Sequence, residues 1–112
     1  MEVMRTLNAK QVKKLLDQYP DTQLVMTLSP LAFQKAHIPG STNISDIQTA
    51  IQQFSKETKI IVYCSDHSCM ASYAAYQQLE QAGYQNIWRF SGGLVEWSEA
   101  GFSLEGATEK SI

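Results

Sequence analysis

The segment that most constrains this chain is Lys59-Ile60-Ile61-Val62-Tyr63-Cys64, whose apolar stretch from Ile60 on is unbroken and of strand length. A strand apolar at successive positions is covered on both faces, as in a parallel sheet. Parallel strands need crossovers, and the rest of the chain supplies helical patterns between short apolar runs. Residues 3–6 predict a first strand. Asn8 is a good N-cap and Val12, Leu15 and Leu16 follow at helical spacing, so residues 9–19 read as a helix ended by Pro20-Asp21. Residues 24–28 read as a strand, and Ser29 with Pro30 opens a second helix. That helix stops before His37-Ile38-Pro39-Gly40, because Pro39 disfavours the helical region at Ile38. Residues 42–44 predict a short strand and 46–54 a helix with Ile47, Ala50, Ile51 and Phe54 on one face. Residues 69–82 predict a long helix ending at Gly83. Residues 87–90 predict the last strand, followed by Gly92-Gly93 and a short helix carrying Leu94 and Trp97 up to Gly101. Strands alternating with helices give an α/β class with a mostly parallel sheet.

Bulk properties narrow the function. The chain has 112 residues, 44% of them hydrophobic, which suits one core. Charged residues make up 18% and the net charge is −2. That balance argues against nucleic-acid binding, which usually calls for a basic face. No apolar run approaches the ~20 residues needed to span a bilayer. The N-terminal Met1-Glu2-Val3-Met4-Arg5 has an early acid and no apolar core, so a signal peptide is not expected and the cytoplasm is the default compartment. Thiols stay reduced there. The tail, residues 105–112, is expected to be disordered, leaving 1–104 as one domain.

Chemistry concentrates around Cys64. Ligands of open α/β sheets bind beyond the carboxyl ends of the strands. Cys64 closes the best strand and precedes a polar loop and a helix start. Backbone N–H groups and the positive end of a helix dipole gather at such a place, and both stabilise a thiolate or a bound anion. A free cysteine titrates near ~8.5, and a helix N-terminus lowers that value. The plain alternative is a buried, inert cysteine, a common fate of the residue type.

Several segments in order resemble one family. His37-Ile38-Pro39-Gly40-Ser41-Thr42-Asn43-Ile44 resembles the "HIPGAxNI" segment of rhodanese domains, and Ile61-Val62-Tyr63-Cys64 resembles the strand that ends in their catalytic cysteine. Ala82-Gly83-Tyr84, Asn86-Ile87 and Gly92-Gly93-Leu94-Val95-Glu96-Trp97-Ser98-Glu99-Ala100-Gly101 resemble the family's closing pattern. The resemblance implies a rhodanese-like fold, with a five-stranded, mainly parallel sheet flanked by helices on both faces. It also implies a sulfurtransferase or sulfane-sulfur carrier working through a persulfide on Cys64. The active-site loop would then be Ser65, Asp66, His67, Ser68, Cys69, Met70, Ala71 and Ser72, cradling the anion.

The chain departs from that pattern in its charges. Aligning Ser72 with the family's helix-opening Ser or Thr gives a loop of eight residues, Cys64 to Ala71, with no Arg or Lys and with Asp66. Weak binding of thiosulfate is expected, so polysulfide or a protein persulfide is the better donor. The thiol or protein acceptor is not specified. The family's Asp-x-Arg is also replaced, by Met26-Thr27-Leu28, and the Glu that pairs with it by Ala32. Both partners are lost together, so no buried charge is orphaned.

Other residues carry two readings each. Cys69 is either a resolving thiol for Cys64 or small packing at the helix start. A Cys64–Cys69 disulfide is expected only under oxidant. Cys64, His67 and Cys69 are soft ligand types, but their spacing is unusual and no fourth ligand follows, so neither metal nor cofactor is expected. His67 could stabilise a thiolate or lie idle. His37 is expected to order a turn, Arg89 either to point toward the loop as a lone cation or, the safer reading, to be a surface residue, Trp88, Phe90 and Trp97 to be core or pocket wall, and Tyr73, Tyr76 and Leu79 to pack a helix face. A Cys-dependent phosphatase would need an Arg after the loop, where Ala71 and Ser72 stand. Three functions stay open: a sulfurtransferase or carrier, a thiol redox protein using Cys64 and Cys69, and a non-catalytic rhodanese-like binding module.

Overall fold

The computed structural model describes residues 4–66 and 68–106. Strands and helices alternate along the chain. They are β1 (Thr6–Leu7), α1 (Ala9–Gln18), β2 (Gln23–Met26), α2 (Pro30–Lys35), β3 (Thr42–Asn43), α3 (Ile47–Gln53), β4 (Ile60–Tyr63), α4 (Ala71–Gln81), β5 (Ile87–Phe90) and α5 (Gly93–Glu99). The five strands form one sheet in the order β1-β5-β4-β2-β3, and every pairing is parallel.

The apolar run sits where its composition requires. β4 is flanked by β2 and β5, and all four of its residues are buried. Alternate side chains go to opposite faces of a strand. Ile60 and Val62 accordingly join Val25, Ile87 and the inner faces of α3 and α4, while Ile61 and Tyr63 join Leu24, Met26, Phe90 and residues of α1 and α5. Phe33 of α2 packs onto the second group. Helices thus cover both faces, and each fully buried aliphatic residue contributes about 1.5–3 kcal/mol through its removal from water.

Local signals set most element starts. Asn8 Oδ1 accepts from Gln11 N at 2.8 Å, and the Gln11 side chain accepts from Asn8 N at 2.9 Å, a reciprocal cap on α1. Ser29 Oγ accepts from Ala32 N with Pro30 at the first helical position of α2. Gly83, at φ +101°, closes the turn after α4.

The differences lie mainly at the ends. The first strand is Thr6–Leu7 instead of 3–6, because its register is fixed by pairing with Arg89 and Phe90; Val3 lies outside the described residues. β2 stops at Met26; Thr27, just beyond it, donates both its N–H and its hydroxyl to the Tyr63 carbonyl. Helix α4 begins at Ala71, two residues later than expected, because Cys69 N–H is engaged by the Asp66 carbonyl in a turn. Glu105, the first residue of the expected tail, forms an isolated antiparallel bridge with His37, and residues 107–112 lie outside the described residues. Among the described residues no helix is long and apolar enough to cross a membrane.

Candidate active site

Cys64 is the first residue beyond β4, at the carboxyl end of a strand paired on both sides, and is 1% exposed. Its backbone is clamped by α5. Leu94 N donates to the Cys64 carbonyl at 3.1 Å and Val95 N to the Ser65 carbonyl at 3.0 Å. Close approach is possible because Gly93, at φ +57°, lies against the Cys64 peptide. The Gly92-Gly93 pair therefore serves the loop as well as opening α5.

Strand alternation carries the side chain of Cys64 to the face that Val62 occupies, toward α4. There Sγ lies 3.5 Å from Ser72 Oγ and 3.5 Å from the Cys69 carbonyl oxygen. Ser72 is the second residue of α4 and is 1% exposed. The remaining loop folds on itself. Asp66 Oδ1 accepts from Ser68 N at 3.1 Å and from Ser68 Oγ at 2.8 Å, so this carboxylate braces the turn. His67 lies outside the described residues, so its two readings and the three-ligand set are not resolved by the geometry.

Cys64 and Cys69 face one another with Cα atoms 6.4 Å apart and their sulfurs within disulfide-bonding distance. Cys69 precedes α4 instead of starting it, so the pair closes with every turn of that helix intact. Met70 holds the N-cap position of α4 and its side chain makes no capping bond. It is largely exposed, as are Tyr73 and Val95 to a smaller degree.

Of its two readings, Arg89 follows the one directed at the loop and not the surface one. It is 8% exposed and reaches under the loop from β5. Its Nε donates to Ser72 Oγ at 3.0 Å and its Nη2 to the Cys69 carbonyl at 3.2 Å. The guanidinium carbon stands 5.7 Å from the centre of the Tyr73 ring. Burial pushes Arg89 down from the ordinary arginine value, and Tyr73 opposes the shift. Alternation could have located this residue: Ile87 faces α4, so Arg89, two positions on, faces it too. Tyr73, expected to pack a helix face, is instead 37% exposed and covers the cation.

The HIPG segment supports the site from the opposite face. Ile38 N donates to Tyr63 Oη at 3.0 Å, and Ser41 Oγ lies 2.8 Å from the same oxygen. Burial raises the Tyr63 phenol above its ordinary value, against the lowering effect of Ser41 and Ile38. His37 orders its turn, as expected: Nδ1 is 2.8 Å from the Phe33 carbonyl and the ring stacks on Phe33 at 3.9 Å. Phe90 and Trp97 are buried and Trp88 is half-buried, in keeping with their expected core roles. A pocket of about 230 Å³ opens beside the loop exit, between Thr27, Ile44 and Ser45 on one side and Ala71 and Ala74 on the other. A larger one, about 390 Å³, lies at the far end of the sheet by Arg5, Tyr84 and Ile87 and takes no part in this arrangement.

Comparison with known proteins agrees with this architecture. The rhodanese-like domain profile matches residues 8–100. A thiosulfate sulfurtransferase, GlpE, of Pseudoalteromonas translucida (strain TAC 125) is 30% identical over 96 residues, covering 84% of this chain and 89% of that protein. The solution structure of a rhodanese-like domain from Anabaena sp. superimposes with a TM-score of 0.83 at 23% identity, over 100% of this chain and 85% of that one. A crystal structure of a Bacillus halodurans protein gives 0.81 at 21% identity, over 93% and 78%. The profile match over most of the sequence and the GlpE relative establish that the chain belongs to the rhodanese-like domain family.

Proposed function

We propose that this protein is a sulfurtransferase, or a sulfane-sulfur carrier, that works through a persulfide on Cys64. The observation that carries the reading is the setting of Cys64: a buried cysteine at the carboxyl end of β4, held in place through its carbonyl by Leu94, its sulfur beside the Ser72 hydroxyl and paired with Cys69. The relative named a thiosulfate sulfurtransferase supports the same class of reaction.

The chemistry balances without a cofactor. The Cys64 thiolate attacks the outer sulfur of a sulfane donor. A new S–S bond forms, the donor's S–S bond breaks, and the donor leaves with that electron pair. From thiosulfate the leaving group is sulfite, and from a polysulfide it is the chain shortened by one sulfur. The Cys64 persulfide is an anion that oriented N–H and O–H groups stabilise. An acceptor thiolate or cyanide then takes the outer sulfur and Cys64 departs as thiolate. Substitution Cys64→Ser is the test: sulfur transfer to cyanide is abolished while the folded signature persists, and full activity in that variant overturns the reading.

The proximity of Cys69 favours a second reading. The Cys69 thiol attacking the inner sulfur of a Cys64 persulfide gives the Cys64–Cys69 disulfide and releases hydrosulfide, with no external oxidant. Hydrosulfide release once the reduced protein has been loaded with a sulfane donor and the excess removed, lost in Cys69→Ser, separates this route from simple transfer. The unnamed donor and acceptor, and a cytoplasmic setting in which reduced thiols are regenerated, belong to the same proposal.

A further inference from the structure

We infer that Arg89 is a positioning residue that supplies the positive charge the Cys64 loop itself lacks, acting on the Cys64 sulfur through the Ser72 hydroxyl. The inference rests on the persulfide reading for its purpose but not for its test.

A guanidinium buried to this degree is costly unless an anion or oriented dipoles compensate it. The ion pairs Lys13–Asp17 and His37–Glu105 do not involve Arg89. Two oxygens hold it, Ser72 Oγ and the Cys69 carbonyl, and both also lie 3.5 Å from Cys64 Sγ. Arg89 and Cys64 therefore meet at the same two atoms. A hydroxyl carries one proton and two acceptor lone pairs. Ser72 spends a lone pair on Arg89 Nε, which leaves its proton for the sulfur. Donation from a cation polarises the O–H bond and strengthens its onward bond to an anion. When Cys64 is a thiolate or persulfide, the buried cation gains the counter-charge it otherwise lacks.

Among the described residues the other charged groups around the loop are turned elsewhere, and the Cys69 sulfur faces Cys64 itself. Asp66 on the loop is bonded to Ser68, Glu96 on α5 accepts from Ala9 N at 2.7 Å, and Tyr63 on β4 is bonded to Ile38 and Ser41. Tyr73 on α4 covers the guanidinium with its ring. The segment from Cys64 to Ser72 contains no Arg or Lys, so a cation entering from β5 fills an electrostatic role through a different element.

The test is the pH profile of Cys64 alkylation in the fully reduced protein, with the Cys64 peptide quantified by mass spectrometry. An opposite charge within about 4–6 Å lowers a thiol pKa by about one unit or more. Arg89→Met is expected to raise the Cys64 pKa by about one unit and slow its alkylation at neutral pH about ten-fold. Arg89→Lys, which keeps the charge, is expected to restore most of the rate, and Ser72→Ala to fall between. A Cys64 pKa in Arg89→Met equal to that of the parent overturns the inference, whatever happens to stability. If Arg89→Met does not fold, Ser72→Ala decides: an unchanged pKa there overturns the relay. Because no sulfur donor is used, failure of the persulfide chemistry leaves this result readable on its own.

Discussion

Gly93 and Cys64 are packed backbone to backbone: a β-carbon on Gly93, which sits at φ +57°, would overlap the Cys64 carbonyl oxygen. That contact lets the first turn of α5 bind the Cys64 and Ser65 carbonyls and fix where the loop departs from the sheet. Gly93→Ala places a side chain in a left-handed conformation and against main-chain atoms that cannot swing aside. A cost of about 2 kcal/mol or more is expected, which for a chain of this size lowers Tm by about 10 °C. Sulfur transfer should fall with it, because the loop must move. A thermal scan in which the variant melts within about 2 °C of the parent contradicts this account of the glycine.

Tyr63 ties the core to the HIPG segment. Its hydroxyl is the acceptor for the buried Ile38 N–H, so Tyr63→Phe strands that donor and is expected to cost about 1–2 kcal/mol. The same residue sets an alkaline limit. Its folded-state phenol is raised above the unfolded value of 10.0, chiefly by burial. Its contribution is therefore fully present below that value and is lost as pH rises toward the folded pKa. Urea midpoints measured across the alkaline range should decline less steeply in Tyr63→Phe than in the parent. Tyr84, also raised by burial, is expected to account for part of the decline that remains. Equal slopes in parent and variant contradict the assignment.

Donor preference follows from where the cation is. Arg89 is buried with donors committed to Ser72 and Cys69, and no Arg or Lys stands in the loop to meet a dianion. A charge-assisted hydrogen bond contributes about 1.5–3 kcal/mol, so its absence weakens thiosulfate by about ten-fold or more. Polysulfide is expected to give the higher kcat/KM in a cyanide-coupled assay. Thiosulfate turnover equal to or above that with polysulfide contradicts the argument.

Much of this was legible in the sequence, for local reasons. The apolar run at β4, the Asn8 and Ser29 caps, Pro30 and Gly83 each act within a few residues, so reading them in order gave the alternation of strands and helices. Cys64 could be located because a strand end is a local event. What escaped depended on distant pairing. The position of β1 is set by its register with β5; the late start of α4 is the local exception, set by a turn between Asp66 and Cys69. For Arg89 the surface reading is the safer of the two because an arginine on a short strand is usually exposed, and its burial becomes evident only from the face shared with Ile87. Tyr73 escaped with it, since its ring is placed by the cation beneath it.

The most direct test of the central claim is the mass of the Cys64 peptide after the reduced protein meets polysulfide and excess donor is removed. The account predicts one added sulfur atom on Cys64, discharged by cyanide as thiocyanate, and no addition in Cys64→Ser. A Cys64 peptide that gains no sulfur, or a Cys64→Ser variant that still produces thiocyanate at the parent rate, contradicts it.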